Sequence, residues 1–267
     1  MRISLLLILV FTLLFSPENY AQPDLKKCWV FFTDKEQGSF DPYTYFDQKA
    51  IERRLRSNIP INHYSDWPVT QAYIEKVEEL ATSISHPTCW FNAVSILATD
   101  AEVTAIEQLE FVVAIQPMQA FLYPASIAHT KNNDYNTDIT EYQIAMLKKQ
   151  TARMEGDLFH DKNIKGQGMR IAIFDAGFPT VDVNPAFEHI RQNNRIIKTW
   201  NFLTKKENVY KNSAHGCNVL SCLAGIIKDQ RMGLATESEF LLARTESGVF
   251  EPYSEEENWL AAAEWAD

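Results

Sequence analysis

A surplus of positive charge is missing from this chain: 25 Lys and Arg stand against 35 Asp and Glu, for a net charge of -10. Gripping nucleic acid or an anionic membrane surface needs clustered cations, so neither is an expected partner. Cysteine is scarce, with four in 267 residues. That is too few for a disulfide-stapled scaffold, and a chain of this length does not need staples. Cys28 and Cys89 can pair only if their strands lie side by side, whereas Cys217 and Cys222 sit on one expected helix and point in different directions. No Cys/His spacing reads as a zinc site. Internal repeats and low-complexity tracts are absent as well. The only long apolar run, Ile3 to Phe15, falls short of the roughly 20 residues that cross a bilayer. With Arg2 before it and the small residue Ala21 before Gln22, it reads as a secretory signal peptide over residues 1–21. The chain is therefore expected to be secreted or at the cell surface, free of the membrane once the signal is removed.

What is present supports packed domains, since 46% of the residues are hydrophobic. Cys28 to Phe32 is a short run of β-prone residues and predicts a strand. Asp47 to Arg56 is helix-compatible, with Pro60 as a stop just beyond. Ala72, Ile74, Val77 and Leu80 follow helical spacing after Thr70, a candidate N-cap. Cys89 to Leu97 returns to a strand pattern. Thr99-Asp100 opens a helix carrying Val103, Ile106 and Leu109, and Phe111 to Ile115 predicts a further strand ended near Pro117. Strands and helices in this order, with an extra helical insertion after the first strand, predict a small α+β unit over residues 22–120. Tyr123 to Thr137 is polar and Asn-rich, so residues 121–140 are expected to be an exposed linker that a processing protease can cut.

From Gly166 the grammar changes. Gly168 to Asp175 is a buried-strand run ending on a carboxylate, with Ala176-Gly177 as a turn. Ile196 to Phe202 predicts a second strand, His215 to Ile227 an apolar helix, Phe240 to Ala243 a third strand, and Glu255 to Asp267 a last helix. Alternating strands and helices imply a parallel sheet with helices on its faces, an α/β architecture. Functional groups collect at the carboxyl ends of strands in such sheets. Asp175 stands at one such end, and His215 opens a helix 40 residues later, close enough in the fold to meet it across a sheet edge. Gly216 beside His215 allows close approach of backbone or substrate. Glycines at 166 and 168 precede their strand, so the geometry of a phosphate-cradling loop fails.

Residues 166–267 resemble the subtilisin-like serine peptidases. The likeness rests on Ile171-Ala172-Ile173-Phe174-Asp175-Ala176-Gly177-Phe178 and on His215-Gly216 followed by Val219 and Ala224-Gly225. It continues through Met232-Gly233-Leu234-Ala235, Glu239 to Ala243 and the closing helix from Trp259 to Ala266. Leu242 to Glu246 with Glu256 to Trp259 is most similar to large secreted bacterial members. More loosely, Trp90 to Ser95 and Phe111 to Pro117 resemble strands of the family's prosegment. The resemblance implies a partial doubly wound parallel sheet over residues 141–267, preceded by a ferredoxin-like α+β prosegment that templates folding and inhibits the enzyme intramolecularly.

By that resemblance His215 is the general base and Asp175 its orienter, in the chain order Asp, His, Ser that subtilisin has. The nucleophilic serine and its Gly-Thr-Ser segment are expected downstream of Asp267, so residues 1–267 alone are expected to hydrolyse no peptide bond. Substrates would be proteins or peptides. No cofactor is identified, and calcium sites stay open. Three positions depart from the family pattern: Cys217 stands for Thr, Asn218 for a second His, and Thr236 for Pro. The competing reading is a non-catalytic binding or inhibitory protein built from a prosegment and a half domain.

Overall fold

The computed structural model describes residues 24–35, 40–118, 139–247 and 253–267. The expected signal peptide and nearly all of the expected linker, with its maturation cut, lie outside the described residues. Strand β1 (Lys26–Phe32) is followed by helices α1 (Pro42–Tyr45), α2 (Gln48–Arg56) and α3 (Gln71–Glu78). Then come strands β2 (Ser83–Thr88) and β3 (Ala93–Ala98), helix α4 (Asp100–Glu107) and strand β4 (Val112–Pro117). The four strands form one sheet in the order β2-β3-β1-β4, with every pairing antiparallel. Strand–helix–strand–strand–helix–strand in this order is the ferredoxin-like arrangement that the resemblance implied.

Alternation along the strands decides which face is which. Cys28, Val30 and Phe32 of β1 and Val94, Ile96 and Ala98 of β3 turn to one side and pack on Ile74 and Val77 of α3 and Ile106 of α4. Trp29, Phe31 and Ala93 turn to the other side. Thr70 precedes α3 but makes no side-chain cap bond, whereas Thr99 and Glu102 close a reciprocal capping box at the start of α4.

Strand β2 has no counterpart in the sequence reading. Its residues, Ser-Ile-Ser-His-Pro-Thr, carry little apolar alternation because it is an edge strand. Pro87 is tolerated where the register shifts between Ile84 and Pro87. The strand expected at Cys89 to Leu97 starts later, at Ala93, since residues 89–92 form the turn that joins it to β2.

Two helices, α5 (Glu141–Ala152) and α6 (Gly156–Asp161), lead into the second sheet. There, β5 (Arg170–Asp175), helix α7 (Glu188–Gln192), β6 (Ile196–Asn201) and helix α8 (His215–Ala224) precede the short strands β7 (Ile226–Ile227) and β8 (Gln230–Arg231). Strand β9 (Glu239–Arg244) and helix α9 (Tyr253–Ala266) follow. The sheet order is β5-β9-β6, all parallel. Helix α8 stops three residues before its expected end at Ile227. Gly225 leaves the helical conformation, and Ile226–Ile227 turns back on Gln230–Arg231 through Lys228 and Asp229, both at positive φ. A two-residue hairpin turn of that hand needs positive φ at both positions, and an apolar run such as Gly225-Ile226-Ile227 does not announce it.

Helix α9 is the layer shared by the two sheets. Ala261, Ala262 and Trp265 pack with Phe202 and Ala243 of the parallel sheet, while Leu260 packs with Trp29, Ala93 and Met118 of the antiparallel one. Ile173, Phe240 and Leu242 face the opposite side, towards Leu220 and Ala224 of α8 and Ile190 of α7. All four cysteines are free thiols.

Candidate active site

The carboxyl ends of the three parallel strands lie side by side, with Asp175 and Asn201 each in register with Arg244 of the central strand. Asp175 is 4% exposed. Its Oδ1 accepts the N–H of Ala176 at 2.7 Å, and its backbone carbonyl accepts the N–H of Thr245 at 3.0 Å. The remaining oxygen, Oδ2, lies 2.8 Å from Nδ1 of His215. The pair proposed from sequence is therefore brought into direct contact.

Helix α8 presents His215 at its first turn. The His215 N–H donates to Ser213 Oγ at 3.2 Å, and Ser213 is itself buried, which ties down an otherwise orphan helix-end donor. Glycine is required next to it by space. A Cβ at Gly216 would stand 2.5 Å from the Gly177 carbonyl and 2.9 Å from Cβ of Asp175, so any side chain there would push the helix away from the strand end. Gly177 answers a second demand, with φ at +148° and the Lys211 carbonyl only 2.1 Å from where a Cβ would sit.

The His215 side chain is 59% exposed, and no described residue hydrogen-bonds Nε2. One ring nitrogen is thus held by a buried carboxylate while the other is free to meet a reacting group. In a neutral ring a carboxylate at Nδ1 favours the tautomer whose Nε2 lone pair can accept a proton.

Cys217, two residues further on, does not join the pair. Burial pushes its thiol pKa up, against a hydrogen bond from Thr180 that lowers it. A protonated thiol is a poor nucleophile. Cys217 instead lines a cleft of about 620 Å³ with Asn184, Phe187 and Met232. Among the described residues no group of His, Cys, Asp and Glu is arranged to hold a metal ion, and no helix is long and apolar enough to cross a membrane.

A second polar cluster, missed by sequence reasoning, lies where α9 meets the antiparallel sheet. Glu257, 3% exposed, pairs with Lys27 Nζ at 2.9 Å and accepts a hydrogen bond from Ser95 Oγ. Glu264 accepts the N–H groups of Cys89 and Trp90, each at 3.1 Å, and the hydroxyl of Thr88. It also accepts the Cys89 thiol at 3.0 Å, so burial and this carboxylate together raise the Cys89 pKa. Asn258 Oδ1 meets Nε2 of His86 at 3.1 Å, and its Nδ2 donates to the Thr245 carbonyl at 3.1 Å. At the end of α9, Asp267 is bound by Arg53 and Arg54, and Arg54 also forks onto Asp66 at 2.7 and 3.2 Å. The signal in the sequence is the spacing 257, 260, 264, 267, one face of a helix, but carboxylates on that face read as solvent-exposed until a partner sheet is known.

Comparison with known proteins gives this contact its meaning. Residues 27–138 match the family model described as the peptidase S8 propeptide domain of Bacteroidota. The chain carries a peptidase S8 propeptide domain. That match covers residues 27–138, so the likeness to subtilisin-like (S8) peptidases is shown for the propeptide region. No curated protein matches the sequence. Among solved structures, it is similar to the epidermin leader peptide processing serine protease (EpiP) from Staphylococcus aureus, at 13% identity and a TM-score of 0.42 over 84% of this chain and 44% of that one. It is also similar to the MycP3 protease of the type VII (ESX-3) secretion system, at 15% identity and a TM-score of 0.35 over 53% of this chain and 38% of that one. The chain thus spans less than half the length of either structure. In these terms α9 is the element of the parallel-sheet part on which the propeptide sheet rests.

Proposed function

We propose that this chain is the front part of an exported serine endopeptidase in which His215 is the general base and Asp175 its orienter, with the nucleophilic serine supplied by sequence beyond Asp267. The observation that carries the reading is the 2.8 Å contact between Asp175 Oδ2 and His215 Nδ1, made by a carboxylate buried at a strand end and a ring exposed at a helix start. His215 Nε2 takes the proton of the serine hydroxyl as it attacks the scissile carbonyl, and returns it to the leaving amine. Asp175 keeps Nδ1 protonated and stabilises the imidazolium that forms.

The propeptide domain, residues 22–120 in this reading, is the intramolecular inhibitor. Its sheet seats on α9, and the segment after β4 is cut between residues 121 and 140 to release the mature enzyme. Export is supported by the charged start, apolar run and small residue of positions 1–21. The test is covalent labelling by a fluorophosphonate, which reports an activated serine, on the protein extended through its downstream sequence. Labelling is expected, and its loss in His215→Ala. An extended protein that takes no label, or that labels equally well without His215, would contradict the proposal in favour of a non-catalytic binding protein.

A further inference from the structure

Arg244 closes the central strand of the parallel sheet, in register with Asp175. It is 8% exposed. Among the described residues its side chain makes one hydrogen bond, from Nε to the Ala176 carbonyl at 3.0 Å, and no carboxylate forms an ion pair with it. Burial lowers its pKa, but a guanidinium remains a cation at neutral pH. Burying a cation without a counter-charge opposes folding, and an apolar residue at this strand end would avoid that penalty.

The place where the hydrogen bond lands supplies the reason. Ala176 is the residue whose N–H clamps Asp175 Oδ1 at 2.7 Å, so its backbone carries a grip on the carboxylate at one end and Arg244 at the other. Immediately after it comes Gly177, at φ +148°, the residue type with the greatest torsional freedom. On the strand side, the Asp175 carbonyl is already fixed by the Thr245 N–H at 3.0 Å.

We propose that Arg244 is a positioning residue for the Asp175–His215 pair: by holding the Ala176 carbonyl it stops the turn from swinging about Gly177, which keeps the Ala176 N–H on Oδ1 and Oδ2 on His215. It acts through one backbone carbonyl and makes no ion pair with Asp175. This rests on the reading of Asp175 and His215 as orienter and base.

The test reads the proton on His215 directly. In the full chain, with ring nitrogens labelled, ¹⁵N NMR at a pH where the imidazole is neutral distinguishes the Nδ1–H from the Nε2–H tautomer. The Nδ1–H form should dominate, because Asp175 accepts from that nitrogen. Arg244→Met should lower the Nδ1–H population by about twofold or more. Arg244→Gln, which keeps an N–H donor on a neutral side chain, should retain the native tautomer and covers the case in which Arg244→Met does not fold. A folded Arg244→Met with the native tautomer, or a folded Arg244→Gln that loses it, overturns the proposal. If Asp175→Asn leaves the tautomer unchanged, it is the pairing of Asp175 with His215 that fails instead.

Discussion

Helices α8 and α9 both place polar side chains against a neighbouring sheet, but they do so under opposite conditions. At the start of α8 one partner, Asp175, is buried while the other, His215, keeps 59% of its side chain exposed. On the face of α9 that meets the propeptide domain, Glu257 and Lys27 are both covered, with side chains 4% and 10% exposed. The first arrangement leaves a ring nitrogen open to a reacting group. The second leaves nothing open and serves as a seat. Geometry therefore limits the one and desolvation the other, and substitutions should separate them.

The largest effect is expected at α8. In the protein extended through its downstream sequence, Asp175→Asn should lower kcat by about four orders of magnitude by favouring the wrong His215 tautomer, as loss of the triad carboxylate does in serine proteases, while leaving the unfolding midpoint of residues 1–267 nearly unchanged. Steady-state kinetics and a melting curve read the two quantities. A fall in stability matching the fall in rate would erase the distinction between site and seat.

At α9 the expectation reverses. Glu257→Ala strands Lys27 in a covered environment and should cost about 3–5 kcal/mol in denaturant unfolding. The paired replacement Lys27→Met with Glu257→Leu should recover most of that, because removing both charges leaves neither unsatisfied. A paired variant that recovers none of the loss would show that the carboxylate is not held as an ion pair.

A smaller effect is expected from pH. Burial lowers the pKa of His86, opposed by Glu257 and by the hydrogen bond to Asn258 and reinforced by Lys205 and Lys27; the Phe202 ring also faces it. A histidine that titrates lower in the folded chain is neutral there while the unfolded chain takes up a proton. Stability from this group is therefore present above the ordinary imidazole value of about 6.5 and declines as pH falls towards the folded value, by at most about 1.4 kcal/mol per pH unit. His86→Gln should flatten that slope between wild type and variant. An unchanged slope would remove His86 from the seat.

The smallest change is at the far face of the propeptide sheet. Thr99→Ala removes the capping box of α4 and should cost about 1 kcal/mol in unfolding of residues 1–267, without altering the His215 tautomer seen by ¹⁵N NMR. An altered tautomer would mean that the propeptide core and the site are coupled.

Residues whose chemistry is local were legible in the sequence. Asp175 and His215 could be singled out because a strand end and a helix start each have their own signature, and the packing of α8 against β5 then brings the two side chains together. The core stripes of β1, β3 and α3 were readable for the same reason, as alternation and helical spacing report burial directly. Edge strand β2 was not, since a strand containing Pro87 and two serines has no periodicity to read. The hairpin after α8 hid inside an apolar run. Glu257, Asn258 and Glu264 were hidden for a different reason: a carboxylate on a helix looks solvated until a second sheet, far away in sequence, is known to cover it. Arg244 appeared only as part of a motif, because the carbonyl it holds comes from another strand.

The central claim is that Asp175 and His215 act as one unit, and a double-mutant cycle on the extended enzyme tests it most directly. Residues that act together are grossly non-additive, so Asp175→Asn combined with His215→Ala should have the same kcat/KM as His215→Ala alone. Two losses that multiply would show that the carboxylate and the imidazole work independently, which contradicts the account.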